Sequence, residues 1–120
     1  MLLKDNLYRL NELHKEEGQV LATISLNADC DIFKGHFPGN PITPGVAQLE
    51  IIKEILSTHY KRAIQLKSIS NCKYLAILNP VETKEISVKL VINESEEGIK
   101  VSAFLSSGEK IFTKSAGIYY

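Results

Sequence analysis

His36 and Glu50 bracket the segment Gly35-His36-Phe37-Pro38-Gly39-Asn40-Pro41-Ile42-Thr43-Pro44-Gly45-Val46-Ala47-Gln48-Leu49-Glu50. An imidazole titrates near neutrality, a buried carboxyl group can be tuned towards the same range, and a helix start presents unpaired amide hydrogens to developing negative charge. One short segment therefore offers a base, an acid and oxyanion donors.

The elements that must position these groups follow from the same residues. Pro38, Pro41 and Pro44 restrict φ and push the residues before them towards extended conformations, while Gly39 and Gly45 allow turns or close backbone approach. The stretch from Gly35 to Gly45 is thus a stiff loop with His36 at its entrance. Thr43 is expected as N-cap and Pro44 as the first helical residue of a helix running to about His59. Side chains lean back towards a helix start, and the rise from Gly45 to Glu50 is about 7.5 Å, so the carboxyl can hang below the amides of Gly45 and Val46. Blander assignments fit too. His36 can simply tie the loop to a sheet, and Glu50 can begin a solvated stripe with Lys53, Glu54 and Ser57 on the face of Val46.

Elsewhere the patterning predicts an α+β domain. Leu3, Leu7, Leu10 and His14 have helical spacing and suggest a short amphipathic helix ended at Glu16-Glu17-Gly18. Val20, Ala22, Ile24 and Leu26 alternate with polar residues and mark a strand over 19–26. Period-two runs follow at Ile64 to Leu66, Tyr74 to Leu78, Ile86 to Ile92, Ile99 to Leu105 and Ile111 to Tyr119, which read as an antiparallel meander covering the long helix. His14 and His59 are expected as solvated helix residues, His59 complementing its helix dipole. Tyr119-Tyr120 would be an edge-strand pair or an interface.

With 120 residues the chain is one domain, and its fourteen basic and fourteen acidic side chains cancel. That balance argues against a nucleic-acid or membrane-surface binder. Lys61-Arg62, Lys67 and Lys73 form a local basic rim, either simply solvated or meeting an acidic carrier protein. Cys30 and Cys72 lie far apart without metal-ligand spacing and are expected as reduced thiols, with no metal or cofactor. Charge follows Leu2-Leu3 too early for a signal peptide and no apolar run could span a bilayer, so a cytoplasmic location is expected.

The segment from Gly35 to Glu50 resembles the β-hydroxyacyl-acyl-carrier-protein dehydratases of fatty acid synthesis, the FabZ/FabA-like family, whose motif runs G-H-F-P-G-H-P-x-x-P-G-V-x-x-x-E. The likeness extends more weakly through Ile32-Phe33 and from Cys72-Lys73-Tyr74 to Asn79-Pro80. It implies a hotdog domain over 1–120, an antiparallel sheet wrapped around one long central helix. It further implies that His36 takes the α-proton of a 3-hydroxyacyl thioester and Glu50 protonates the departing hydroxyl. The amides of Gly45 and Val46 would hold the thioester oxygen, and Phe37, Pro38, Gly39 and Pro44 would form the substrate loop. The product is a trans-2-enoyl thioester, carried on acyl carrier protein or coenzyme A. In such enzymes histidine and glutamate come from different subunits, which implies a homodimer or a trimer of dimers. Asn40, Thr43, Ile51, Glu54 and Pro80-Val81-Glu82 depart from the family pattern. The short chain is similar to small dehydratases of polyene-lipid synthesis. A hotdog thioesterase would use the same helix start but aim water at the carbonyl carbon, and a silent acyl-binding protein would keep the loop for folding alone.

Overall fold

The computed structural model describes residues 2–120. Six strands form one antiparallel sheet in the order β1-β2-β4-β5-β6-β3, where β1 is Tyr8–Glu16, β2 Gln19–Leu26, β3 Leu66–Tyr74, β4 Glu85–Ser95, β5 Gly98–Ser107 and β6 Lys110–Tyr119. Two helices lie between β2 and β3: α1, Ile32–Gly35, and α2, Gly45–Tyr60. The alternation read from sequence is the burial pattern found. Val20, Ala22, Ile24 and Leu26 of β2, Ile86, Val88 and Leu90 of β4, and Val101, Ala103 and Leu105 of β5 share one core with Ala47, Ile51, Ile52, Ile55 and Leu56 of α2.

Several expectations give way. The N-terminal segment is no helix: Leu3 and Leu7 close a single turn, in which the Leu7 amide donates to the Leu3 carbonyl at 2.7 Å, and the chain then enters β1. Its alternation is hidden because the register of β1 against β2 shifts between Leu10 and Glu12. The hairpin turns at Gly18, whose φ of 74° suits glycine. His14 accordingly sits exposed on a strand, 3.4 Å from Glu12. His59 does occupy the last turn of α2, but burial pushes its pKa down and disfavours the charged form a dipole would need.

The meander is confined to β4, β5 and β6. The polar stretch Leu66–Tyr74, exposed along most of its length, pairs with β6 at the sheet edge. A strand wet on both faces has no apolar period to read. Conversely, Leu75 to Leu78 leaves the sheet, and β3 ends at Tyr74. Tyr119 is not an edge residue: β6 lies between β5 and β3, and its Tyr119 is buried while Tyr120 is exposed. Cys30 is buried, Cys72 half-buried, and both are free thiols. No helix among the described residues is long and apolar enough to cross a membrane.

The β3–β6 seam depends on Gly117. A Cβ there would come within 2.6 Å of the Ser68 carbonyl and 3.0 Å of Ile69 Cδ1. Gly117→Ala should therefore destabilise the fold by about 1–3 kcal/mol, as overpacking does, measured as a lowered urea midpoint at unchanged slope.

Candidate active site

His36 follows α1 directly, at the point where that short helix stops. The loop after it is pinned by its own backbone. Phe37 and Asn40 exchange amide-to-carbonyl hydrogen bonds at 3.0 and 2.8 Å, and the Ile42 amide donates to the His36 carbonyl at 2.8 Å. Gly39 takes a φ of 76° inside this turn, and the His36–Phe37 peptide is cis. The segment is, as expected from the sequence, a non-repetitive loop, closed by these backbone hydrogen bonds.

The helix start differs by one residue from expectation. Pro44, extended at φ −60° and ψ 147°, is itself the N-cap, and Gly45 is the first helical residue. No side chain caps this end. Thr43 cannot, because it is drawn inwards: its amide donates to the Leu78 carbonyl at 2.9 Å and its carbonyl accepts from Gln48 Nε2 at 3.1 Å. The opening amides of α2 therefore keep their donors free, as an oxyanion site requires.

A cavity of about 470 Å³ opens on this helix start. His36, Phe37, Thr43, Pro44, Gly45 and Gln48 line one side, and Tyr74 to Leu78 line the other. Close approach of Tyr74 demands Gly45. A Cβ on residue 45 would collide with the phenol ring, its oxygen 2.6 Å away. Partial burial, with Cys72 beside it, pushes the Tyr74 pKa up to about 12. Beneath the loop, Thr113 of β6 donates through its hydroxyl to Gln48 Oε1, so a buried amide couples the helix start to the sheet.

Glu50 is elsewhere. It lines a second cavity of about 370 Å³ with Lys4, Lys53 and Glu54. Lys53 Nζ stands 3.1 Å from Glu50 Oε2, yet the alignment is not that of a hydrogen bond, and this buried oxygen has no donor. Val46 is 80% exposed and lines neither cavity. Within one chain, then, the structure brings His36 to Gly45, Pro44 and Phe37 but not to Glu50. Pro38 and Gly39 line a separate shallow depression with Phe37 and Pro41.

Glu54 belongs to no solvated stripe. It is only 4% exposed, and its carboxylate accepts from the Leu3 amide at 3.1 and 2.8 Å, the Lys4 amide at 2.9 Å and the Tyr8 hydroxyl at 3.0 Å. Burial, then the charge and hydrogen bond of Glu54, pushes the Tyr8 pKa well above its ordinary value. Glu54 thus fastens the N-terminal segment beside Glu50. Only the departure from the family's glutamine hinted at it.

With this geometry in hand, the relatives become informative. The profile of the ApeI-like family, described as ApeI dehydratase, matches residues 12–114. The chain belongs to that family. The chain is 29% identical over 110 residues to the 3-hydroxyacyl-acyl-carrier-protein dehydratase FabZ of Levilactobacillus brevis, covering 86% of this chain and 73% of the relative. It is 30% identical over 89 residues to the FabZ of Latilactobacillus sakei, covering 68% and 64%. Among solved structures, the dehydratase heterocomplex ApeI:P from Xenorhabdus doucetiae superposes with a TM-score of 0.74 at 20% identity, over 92% of this chain and 96% of that one. An uncharacterised protein from Erwinia carotovora subsp. atroseptica gives 0.71 at 22%, over 93% and 92%. The fold is accordingly the hotdog, one long helix wrapped by an antiparallel sheet.

The Glu54 cluster has a measurable consequence. Glu54→Ala would leave buried donors unpaired and should lower unfolding free energy by roughly 3 kcal/mol or more. Tyr8→Phe, which removes only one of them, should cost about 1 kcal/mol; chemical denaturation of both variants checks the ratio.

Proposed function

We propose that this protein dehydrates 3-hydroxyacyl thioesters to trans-2-enoyl thioesters, and hydrates them in reverse, on an acyl carrier protein. The observation that supports this most directly is His36 at the wall of a cavity that ends on the uncapped start of α2, in a chain of a dehydratase family. An α-proton beside a thioester is acidic only while the enolate-like oxygen is stabilised, and the amides of Gly45 and Val46 are the donors for it. His36 accepts that proton. Hydroxide leaves poorly, so Glu50 in its acid form delivers a proton to the 3-hydroxyl, and water departs. Phe37, Pro38, Gly39 and Pro44 hold the substrate loop.

Since His36 and Glu50 line different cavities of one chain, a complete site needs two copies, with His36 of one protomer facing Glu50 of its partner. Apolar side chains suited to such a contact are exposed here: Ile77, at 66%, and Leu75, at 52%, line the cavity, and Val46, the residue after Gly45, is 80% exposed. His36→Ala and Glu50→Gln should each lower hydration of crotonyl and longer enoyl thioesters by about 10²-fold or more, followed by loss of enoyl absorbance, with the dimer intact. Mixing the two variants should restore turnover through hybrid dimers. Full activity in either variant, or no recovery despite proven subunit exchange, defeats this arrangement; release of free thiol instead would mean thioester hydrolysis.

Charge placement fits an acidic carrier protein. The registers set Lys89, Phe104, Lys114 and Lys73 side by side across β4, β5, β6 and β3, all on the face turned from α2. Like charges directly opposite, as Lys73 and Lys114 are, destabilise a sheet, and no acidic group pairs with these lysines among the described residues. An acidic partner surface relieves that repulsion. Lys73 immediately precedes Tyr74 at the cavity wall, whereas Lys61 and Arg62 stand past the opposite end of α2, and Lys67 donates to the Glu97 carbonyl. Lys73→Glu with Lys114→Glu should raise KM about tenfold for carrier-borne substrate and leave KM for the coenzyme A thioester unchanged.

A further inference from the structure

Tyr74 ends β3 and begins the wall of the His36 cavity that faces the start of α2. The rest of that wall is Leu75, Ala76, Ile77 and Leu78, so the phenol carries its only polar side-chain group. The tip of the ring is what meets the helix: a Cβ on Gly45 would collide with Cζ and stand 2.6 Å from the hydroxyl oxygen. In a helix the Cα–Cβ bond tilts towards the N-terminus. The phenol tip therefore lies on the side of Gly45 where the first amides of α2 open, and no side chain caps those amides. Packing does not call for the oxygen, because the residue is 49% exposed and phenylalanine would lay the same ring on Gly45. The side chain beside the hydroxyl is the Cys72 thiol, a weak acceptor. With its pKa pushed up to about 12, first by burial, the phenol keeps its proton across the neutral range and stands at the helix start as a donor.

We infer that the Tyr74 hydroxyl is a third hydrogen-bond donor to the thioester carbonyl oxygen, beside the amides of Gly45 and Val46. This assignment rests on the dehydratase reading above. As the α-proton moves to His36, negative charge gathers on that oxygen, and a donor already in place strengthens in step. The hydroxyl keeps its own proton throughout; no covalent bond to it forms or breaks.

The test compares wild type, Tyr74→Phe and Tyr74→Leu in thermal melts, in kinetics with 3-hydroxybutyryl- and crotonyl-coenzyme A, and in calorimetric binding of unreactive butyryl-coenzyme A. Tyr74→Phe keeps the ring on Gly45 and should melt within about 2 °C of wild type, while kcat/KM falls at least about tenfold, mainly in kcat. A smaller fall overturns the assignment, as does a loss of activity that comes with a larger drop in melting temperature. Wild-type activity in Tyr74→Phe with loss in Tyr74→Leu, which removes the ring as well, gives the role to packing and likewise overturns it. If wild type turns over neither thioester, the dehydratase reading fails, and butyryl-coenzyme A then decides for Tyr74. Binding at least about threefold weaker in Tyr74→Phe keeps the hydroxyl as a donor, whereas equal binding, or none to wild type, removes it.

Discussion

The bare N-terminus of α2 is the constraint on which the rest of the structure depends. An uncapped helix end leaves its first amides without partners, and here the local features keep that end open. Pro44 supplies the bend without donating a hydrogen bond. Thr43, which would be the obvious cap from its residue type, is turned inwards by the Leu78 carbonyl and the Gln48 amide. Gly45 lets the Tyr74 ring lie where any other side chain would stand. These local features thus agree on one geometry.

The His36 and Glu50 cavities are secured by different means. On the His36 side the anchors are backbone hydrogen bonds within the loop and the Gln48–Thr113 link into β6. On the Glu50 side the anchor is a second carboxylate. Glu54, one helical turn further on, takes up the amides of Leu3 and Lys4 and the hydroxyl of Tyr8, so the first residues of the chain become a wall of the cavity holding Glu50. A buried charge of this kind is tolerable because three separate donor groups converge on it. The family's usual glutamine could accept at only one of its two terminal atoms.

Much of the domain was legible because its signals are local and redundant. The alternation of β2, β4 and β5, the length of α2 and the Gly/Pro-rich stretch each repeat one physical message over many residues. The elements misread were those where the pattern is diluted. In β1 a register shift erased the alternation, and Leu3, Leu7 and Leu10 mimicked a helical stripe. Edge strand β3, exposed on both faces, had no apolar period at all, whereas the apolar Leu75 to Leu78 earned theirs as a cavity wall.

The amino-acid sequence by itself determined which groups are present for chemistry and how the chain is stiffened around them: His36 in a proline-fixed loop, Glu50 on the first turns of a long helix, glycine at its start. These follow from side-chain type and backbone restriction, which act over a few residues. Tertiary structure alone decided that His36 and Glu50 of one chain look into different cavities, that Glu54 is clamped rather than solvated, and that the hydroxyl of Thr43 is buried without a partner. Burial and long-range hydrogen bonding depend on what the sheet brings alongside, and no spacing along the chain encodes that.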